Sequence, residues 1–204
     1  MLNDLYDTDG VLIHGYLKAY DPLSSEVYID QRNAIHYENF SVSLAESVGN
    51  AGSGFISEIS FGNGGTAVDP TGIITYLTPN STGSNASLYN QTYSKVVDDR
   101  SVNNVDPIRN KIETRHVSGT NYTDVVISCL LDYGEPRGQD AFDTADTQDS
   151  PYIFDELGLR AFSANGDGRL LTHVIFHPVQ KSLNRLIQID YTVRVQSLSG
   201  FSGV

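Results

Sequence analysis

From residue 186 to residue 196 the chain alternates without a break. Ile187, Ile189, Tyr191, Val193 and Val195 are apolar or aromatic, and Gln188, Asp190, Thr192, Arg194 and Gln196 between them are polar. A period of two puts successive side chains on opposite faces of an extended backbone, so this segment predicts a strand with one face in a core and the other toward water. A shorter segment repeats the pattern, with Phe55, Ile59 and Phe61 on one face and Glu58 and Ser60 opposite. Apolar runs at 11–20, 72–77, 112–116, 124–131 and 170–176 bring the total to about seven strands. A helix is predicted over 34–48, where Phe40, Leu44 and Val48 recur every four residues and Gly49-Asn50-Ala51-Gly52 follows as a stop signal. The expected fold is mainly β (α+β): an antiparallel β-sandwich-like single domain with one helix in its N-terminal half. Two long polar loops, 69–87 and 134–151, an N-terminal strand region or arm (1–33) and a flexible Ser/Gly-rich tail (197–204) complete the outline. Residues 73–77 interrupt the first loop and read as the strand of a hairpin arm.

A chain of 204 residues buries enough surface to fold without disulfides or metal. Its single cysteine, Cys129, lies in the run Val125-Val126-Ile127-Ser128-Cys129-Leu130-Leu131 and reads as a small buried hydrophobe. The formal net charge is −12, with no dense Lys/Arg cluster. That argues against direct nucleic-acid binding, which depends on neutralising phosphates, and suits docking onto a basic partner surface. The acidic N-terminus lacks the basic-then-apolar order of a signal peptide. No apolar stretch approaches the length of a membrane span. Synthesis and assembly in a cytoplasm are therefore expected, with no membrane partner.

No candidate chemistry assembles from spacing. His173 and His177 would share a helix face, but Leu-Leu-Thr-His-Val-Ile-Phe-His-Pro favours a strand ended by Pro178. Four strand residues span roughly 13 Å, too far for one ion, so the two histidines read as same-face residues of a core or interface. Asp140, Asp143, Asp146 and Asp149 recur every three residues in the second loop, without the close alternating ligands of a calcium loop. They read as a solvated acidic surface and candidate interface. Gly62-Asn63-Gly64-Gly65 follows a strand as a phosphate loop would, yet lacks the Gly-Lys-Ser/Thr grip and a following helix. It reads as a structural turn, its glycines suited to positive φ. Asn165-Gly166-Asp167-Gly168 reads as a second such turn, closing 157–162 onto 170–176 as a hairpin. Asp155-Glu156 is a carboxylate pair, but neighbours on an extended chain face opposite ways, which speaks against a joint acid/base role. No Gly-x-Ser-x-Gly elbow is present. His36 or His116 with Asp98 or Asp99 has only sequence separation to offer. The chain is read as a non-enzyme, with no cofactor or metal implied.

Three segments resemble, in order, the N-terminal collar or attachment domain of phage tail fibres. They are Ile56-Ser57-Glu58-Ile59-Ser60-Phe61-Gly62-Asn63-Gly64, with the helix ahead of it; Ser87-Leu88-Tyr89-Asn90-Gln91-Thr92-Tyr93-Ser94-Lys95; and Phe154-Asp155-Glu156-Leu157-Gly158-Leu159, continued by the 165–168 turn and the stretch from Leu170 to Ser182. The last looks like that family's Glu-x-Gly-Leu strand, hairpin and closing Lys-Ser strand pair. The resemblance implies a tailed-bacteriophage virion protein: a collar, neck or baseplate adaptor, working as a symmetric homo-oligomer through contacts with other virion proteins of tail, neck or capsid. The chain departs from fibre proteins in having no shaft and in carrying the strand region 11–30. A capsid decoration protein and a carbohydrate-binding β-sandwich using some of the twelve tyrosines are the alternative readings.

Overall fold

The computed structural model describes residues 10–84, 86–139, 150–164, 166 and 168–198. Asp140, Asp143, Asp146, Asp149, Asn165 and Asp167, and the tail beyond 198, lie outside the described residues. Among the described residues, twelve strands and one helix follow in the order β1 (Val11–Tyr20), β2 (Val27–Arg32), β3 (Ala34–Ile35), α1 (Tyr37–Val48), β4 (Ile56–Gly62), β5 (Thr66–Val68), β6 (Ile74–Tyr76), β7 (Gln91–Val96), β8 (Lys111–His116), β9 (Tyr122–Leu131), β10 (Ile153–Ala161), β11 (Thr172–Gln180) and β12 (Ile187–Ser197). All the pairings are antiparallel. One sheet runs β2-β1-β12-β9-β8, a second runs β3-β11-β10-β4-β7, and β5-β6 form a small two-stranded arm.

The two large sheets share one core, in which Leu17, Ile189 and Tyr191 of the first meet Ile59, Leu157 and Val174 of the second. This is the antiparallel sandwich-like α+β architecture that the alternation predicts. All seven predicted strands fall on observed ones. Of the further strands, β3 and β5 have two and three residues, too few for a period to show, and β2 and β7 lie at sheet edges. β12 behaves as its pattern requires: Ile187, Ile189, Tyr191 and Val193 are buried while the polar positions are half-exposed. Cys129 is fully buried, and burial pushes its thiol up to about 12.

Several local expectations are corrected. The helix begins at Tyr37, because Ala34 and Ile35 pair with His173 and Thr172 of β11. Its N-cap is His36, whose Nδ1 accepts the Asn39 N–H at 3.2 Å. The buried side of α1 is Asn39, Phe40 and Ser43, whereas Leu44 and Val48 are both exposed. The apolar spacing therefore marked a face only one residue of which reaches the core. Phe55 also stays outside the core and stacks on Phe162, with ring centroids 4.9 Å apart. β11 does not end at Pro178 but runs on to Gln180. Phe154 and Glu156, two residues apart, pair with Val179 and Ile175, four apart. Pro178 thus sits inside a bulge, a place in a sheet where its missing N–H is tolerated.

Among the described residues no helix is long and apolar enough to cross a membrane.

Candidate functional site: a turn held by two buried carboxylates

The β10–β11 irregularity has a consequence for Asp155 and Glu156. Phe154 and Leu157 both lie in the core. Their spacing of three breaks strict alternation and leaves both intervening carboxylates on the outer side of the sheet. There they are covered by the turn after β4 and by the segment before β7, so Asp155 and Glu156 are almost wholly buried. The expectation that they point apart is overturned: both grip the same turn.

Asp155 accepts the N–H of Gly65 at 2.9 Å and that of Thr66 at 2.8 Å, together with the Thr66 hydroxyl. Glu156 accepts Gly64 N–H (3.2 Å) and Asn90 N–H (2.7 Å) on Oε1, and Tyr89 N–H (2.9 Å) on Oε2. His173 completes the set, with Nε2 2.9 Å from Glu156 Oε2. Because the Asn80 N–H donates to His173 Nδ1 at 2.8 Å, the ring proton sits on Nε2 and is donated to the carboxylate. Asn63 ties the turn sideways: its N–H donates to Asn90 O at 3.1 Å, and its amide donates to Ser150 O and accepts from the Asn90 amide.

The glycines of this turn serve close approach. None of Gly62, Gly64 and Gly65, nor Asn63, has positive φ, contrary to the expectation from composition. A Cβ on Gly64 would lie 2.7 Å from Asn90 N, and one on Gly62 would lie 2.4 Å from Asn90 O. Side chains are excluded because the 88–90 backbone must come near enough to reach Glu156. In the second turn, Gly166 does adopt φ +90°, while Gly168 is a close-approach position against Ala161 O.

His173 and His177 part company, the first fully buried in this network and the second exposed, 3.2 Å from the Tyr76 hydroxyl. Lys181 of the closing Lys-Ser pair is buried, donating to Gln139 Oε1 at 3.2 Å and Ser182 O at 3.0 Å. Burial lowers its pKa to about 8. His36 is also buried, its Nε2 2.9 Å from Gly83 O, whereas His116 is exposed. Among the described residues no three His, Cys, Asp or Glu side chains cluster as metal ligands. Sequence reasoning missed the Asp155/Glu156 grip on the turn. The usable signal was the triplet spacing of Phe154 and Leu157 about two adjacent acids.

Comparison with models of protein families, with curated proteins and with solved structures returns no match.

Proposed function

We propose that the chain is a structural subunit of a tailed-phage virion, a collar, neck or baseplate adaptor that joins tail parts or fibres through protein–protein contacts. The observation that supports this reading most is a convergence. The three segments that resemble fibre collar domains, far apart in sequence, meet in one unit. β4 and its turn, the 88–90 backbone and the β10–β11 pair are neighbours, joined by Glu156 and His173. A family-like order in sequence thus corresponds to one piece of architecture.

The bonding within that unit supports shape over turnover. A general acid or base needs a lone pair or proton within reach of a substrate. Glu156 has its four acceptor positions occupied, and both ring nitrogens of His173 are engaged. Quantitative mass spectrometry of purified particles tests the reading. The chain is expected at the low copy number of a ring around the tail axis. Its absence from particles overturns the proposal, and a copy number equal to that of the shell subunits replaces it with capsid decoration.

A further inference from the structure

β1 outruns its neighbour on one side. β12 pairs with the whole of it, Val11 to Tyr20, but β2 pairs only with Tyr16 to Tyr20. At Asn33 the chain leaves this sheet for the other, where Ala34 and Ile35 pair with β11. Past that point Val11–Gly15 is an open stretch of sheet edge. The bonding parity shows which groups it leaves over. Gly10 O accepts Leu198 N–H at 2.8 Å, so the even-numbered residues here turn their main chain toward β12. Gly15 O accepts Asn33 N–H at 3.3 Å, so the odd-numbered ones face the other way. Val11 and Ile13 follow Gly15, and no group among the described residues bonds to their N–H or C=O on that side. Ile13 is only 9% exposed, and a main chain left unpaired in such a place is costly.

Beside this edge lies a slot of about 300 Å³, lined by Ile13, Asn33, Ala34, Ile35 and Tyr37 among others. Asn33 Oδ1 is itself buried without a hydrogen-bond partner. Sheet edges are normally guarded against added strands by charge, proline or bulges. The other long edges among the described residues carry such guards: Lys111, Glu113 and Arg115 on β8, Asp30 and Arg32 on the short β2, Pro178 in the bulge of β11. β7 has Lys95 turned inward, donating to Leu130 O of the opposite sheet at 2.6 Å. Val11-Leu12-Ile13-His14-Gly15 has neither charge nor proline. We infer that this edge is a docking site for an extended segment of a partner protein, which adds to the first sheet as a strand in line with β2.

The two faces of the edge state the partner's chemistry. A side chain opposite Ile13 falls on the slot side, and one opposite His14 falls on the outer face, next in line after Arg32. Arg32 is exposed and has no hydrogen bond or ion pair among the described residues. Arg194 is already taken by Asp124, at 2.7 and 2.8 Å, and Lys18 stands between Asp30 and Asp190 in the register. The fitting segment therefore alternates an apolar side chain for the slot with a carboxylate for Arg32, while main-chain bonds to Val11 and Ile13 hold it. The inference deepens the assembly reading above and rests on it for the source of the partner.

Amide hydrogen exchange of the purified full chain, read by nuclear magnetic resonance, tests it residue by residue. Without a partner, the Val11 and Ile13 N–H groups should exchange freely while Leu12 and His14, turned toward β12, are protected. The probes are short synthetic peptides alternating valine with aspartate, with threonine or with lysine, each at about 1 mM. The aspartate peptide is expected to protect Val11 and Ile13 and to leave Leu12 and His14 as they were, with the lysine peptide about tenfold weaker. Arg32→Glu should reverse that order. Val11→Pro removes one edge N–H at a strand start, where proline is tolerated. It should weaken the aspartate peptide about tenfold with an unchanged circular dichroism spectrum. Protection that does not alternate, equal binding of the aspartate and lysine peptides, or no protection by any of the three overturns the inference. So does a peptide-free chain of two-copy mass whose Val11 and Ile13 amides are already protected, since a second copy then holds the edge. Strand addition by a chain missing from particles would sink only the virion reading, whereas a chain found in particles whose edge takes no strand would sink this inference alone.

Discussion

A carboxylate offers about four acceptor sites, and Glu156 fills them with N–H groups of Gly64, Asn90, Tyr89 and His173. Burial pushes its pKa upward, but the bonds from His173, Asn90 and Tyr89 outweigh burial and hold it below the ordinary glutamate value. Asp155 goes the other way: burial dominates the bonds from Thr66 and Gly65, the Glu156 charge adds to it, and the pKa is raised. The signs of their linkage to stability are therefore opposite. Glu156, with a depressed folded pKa, contributes fully above the unfolded value of about 4.3 and loses that contribution as pH falls through the folded value. Asp155, with a raised folded pKa, becomes less unfavourable as pH falls through its folded value toward about 3.9. Glu156→Gln keeps the shape but turns an NH₂ group toward two N–H donors. A loss of roughly 2–4 kcal/mol at pH 7 is expected from urea unfolding. The gap between variant and wild type should narrow as pH drops from about 5 toward 3. A gap that stays constant over that range would show that the carboxylate charge is not what the turn depends on.

The element at stake is the β4–β5 connection, and its test is a methyl group. In Gly64→Ala the new Cβ would lie 2.7 Å from both Asn90 N and Tyr89 Cβ. The 88–90 segment must then withdraw, at a cost of about 1–3 kcal/mol. The amides of Tyr89 and Asn90, which donate to Glu156, should lose protection from hydrogen exchange. Gly72→Ala is the comparison: φ is +86° with open space around it, so it is strained by about 1–2 kcal/mol yet should leave those two amides protected. Unchanged exchange at Tyr89 and Asn90 in Gly64→Ala would separate the turn from the carboxylates. How far such elements can be read from sequence depends on how many of their faces are wet. β12 has one buried and one half-exposed face, so its alternation is plain in the sequence. All nine residues of β10 are buried, with the core on one side and the 62–66 turn and the 88–90 segment on the other. Its Asp155, Glu156 and Arg160 therefore read in sequence as polar interruptions. Arg160 in fact donates to Ser60 Oγ, Gly168 O and Gln91 Oε1. The helix start was obscured for a related reason, since its cap is a buried histidine in place of the usual Ser, Thr, Asp or Asn.

At the scale of the molecule, the central question is whether the two large sheets are separable. Each has its apolar face against the other, and Phe40 of α1 joins the same core. Polar links cross between them as well. Gln31 on β2 donates to Ile175 O on β11 at 2.9 Å, and the Asn33 amide, beside β3, donates to the Tyr191 hydroxyl on β12. Losing one sheet would expose the whole inner face of the other, so the two should unfold together. Ile189 tests this, being buried at the centre of β12, between β1 and β9. Ile189→Ala removes buried carbons from the first sheet and should cost about 2–5 kcal/mol. If the sheets are one cooperative unit, the urea midpoint falls equally by far-ultraviolet circular dichroism and by tyrosine fluorescence, with the slope unchanged. Hydrogen exchange at β4 and β10 amides, in the second sheet, should accelerate by the factor that the same loss in stability dictates. If those amides keep wild-type protection while β9 and β12 lose theirs, the sheets unfold separately and the shared core does not couple them.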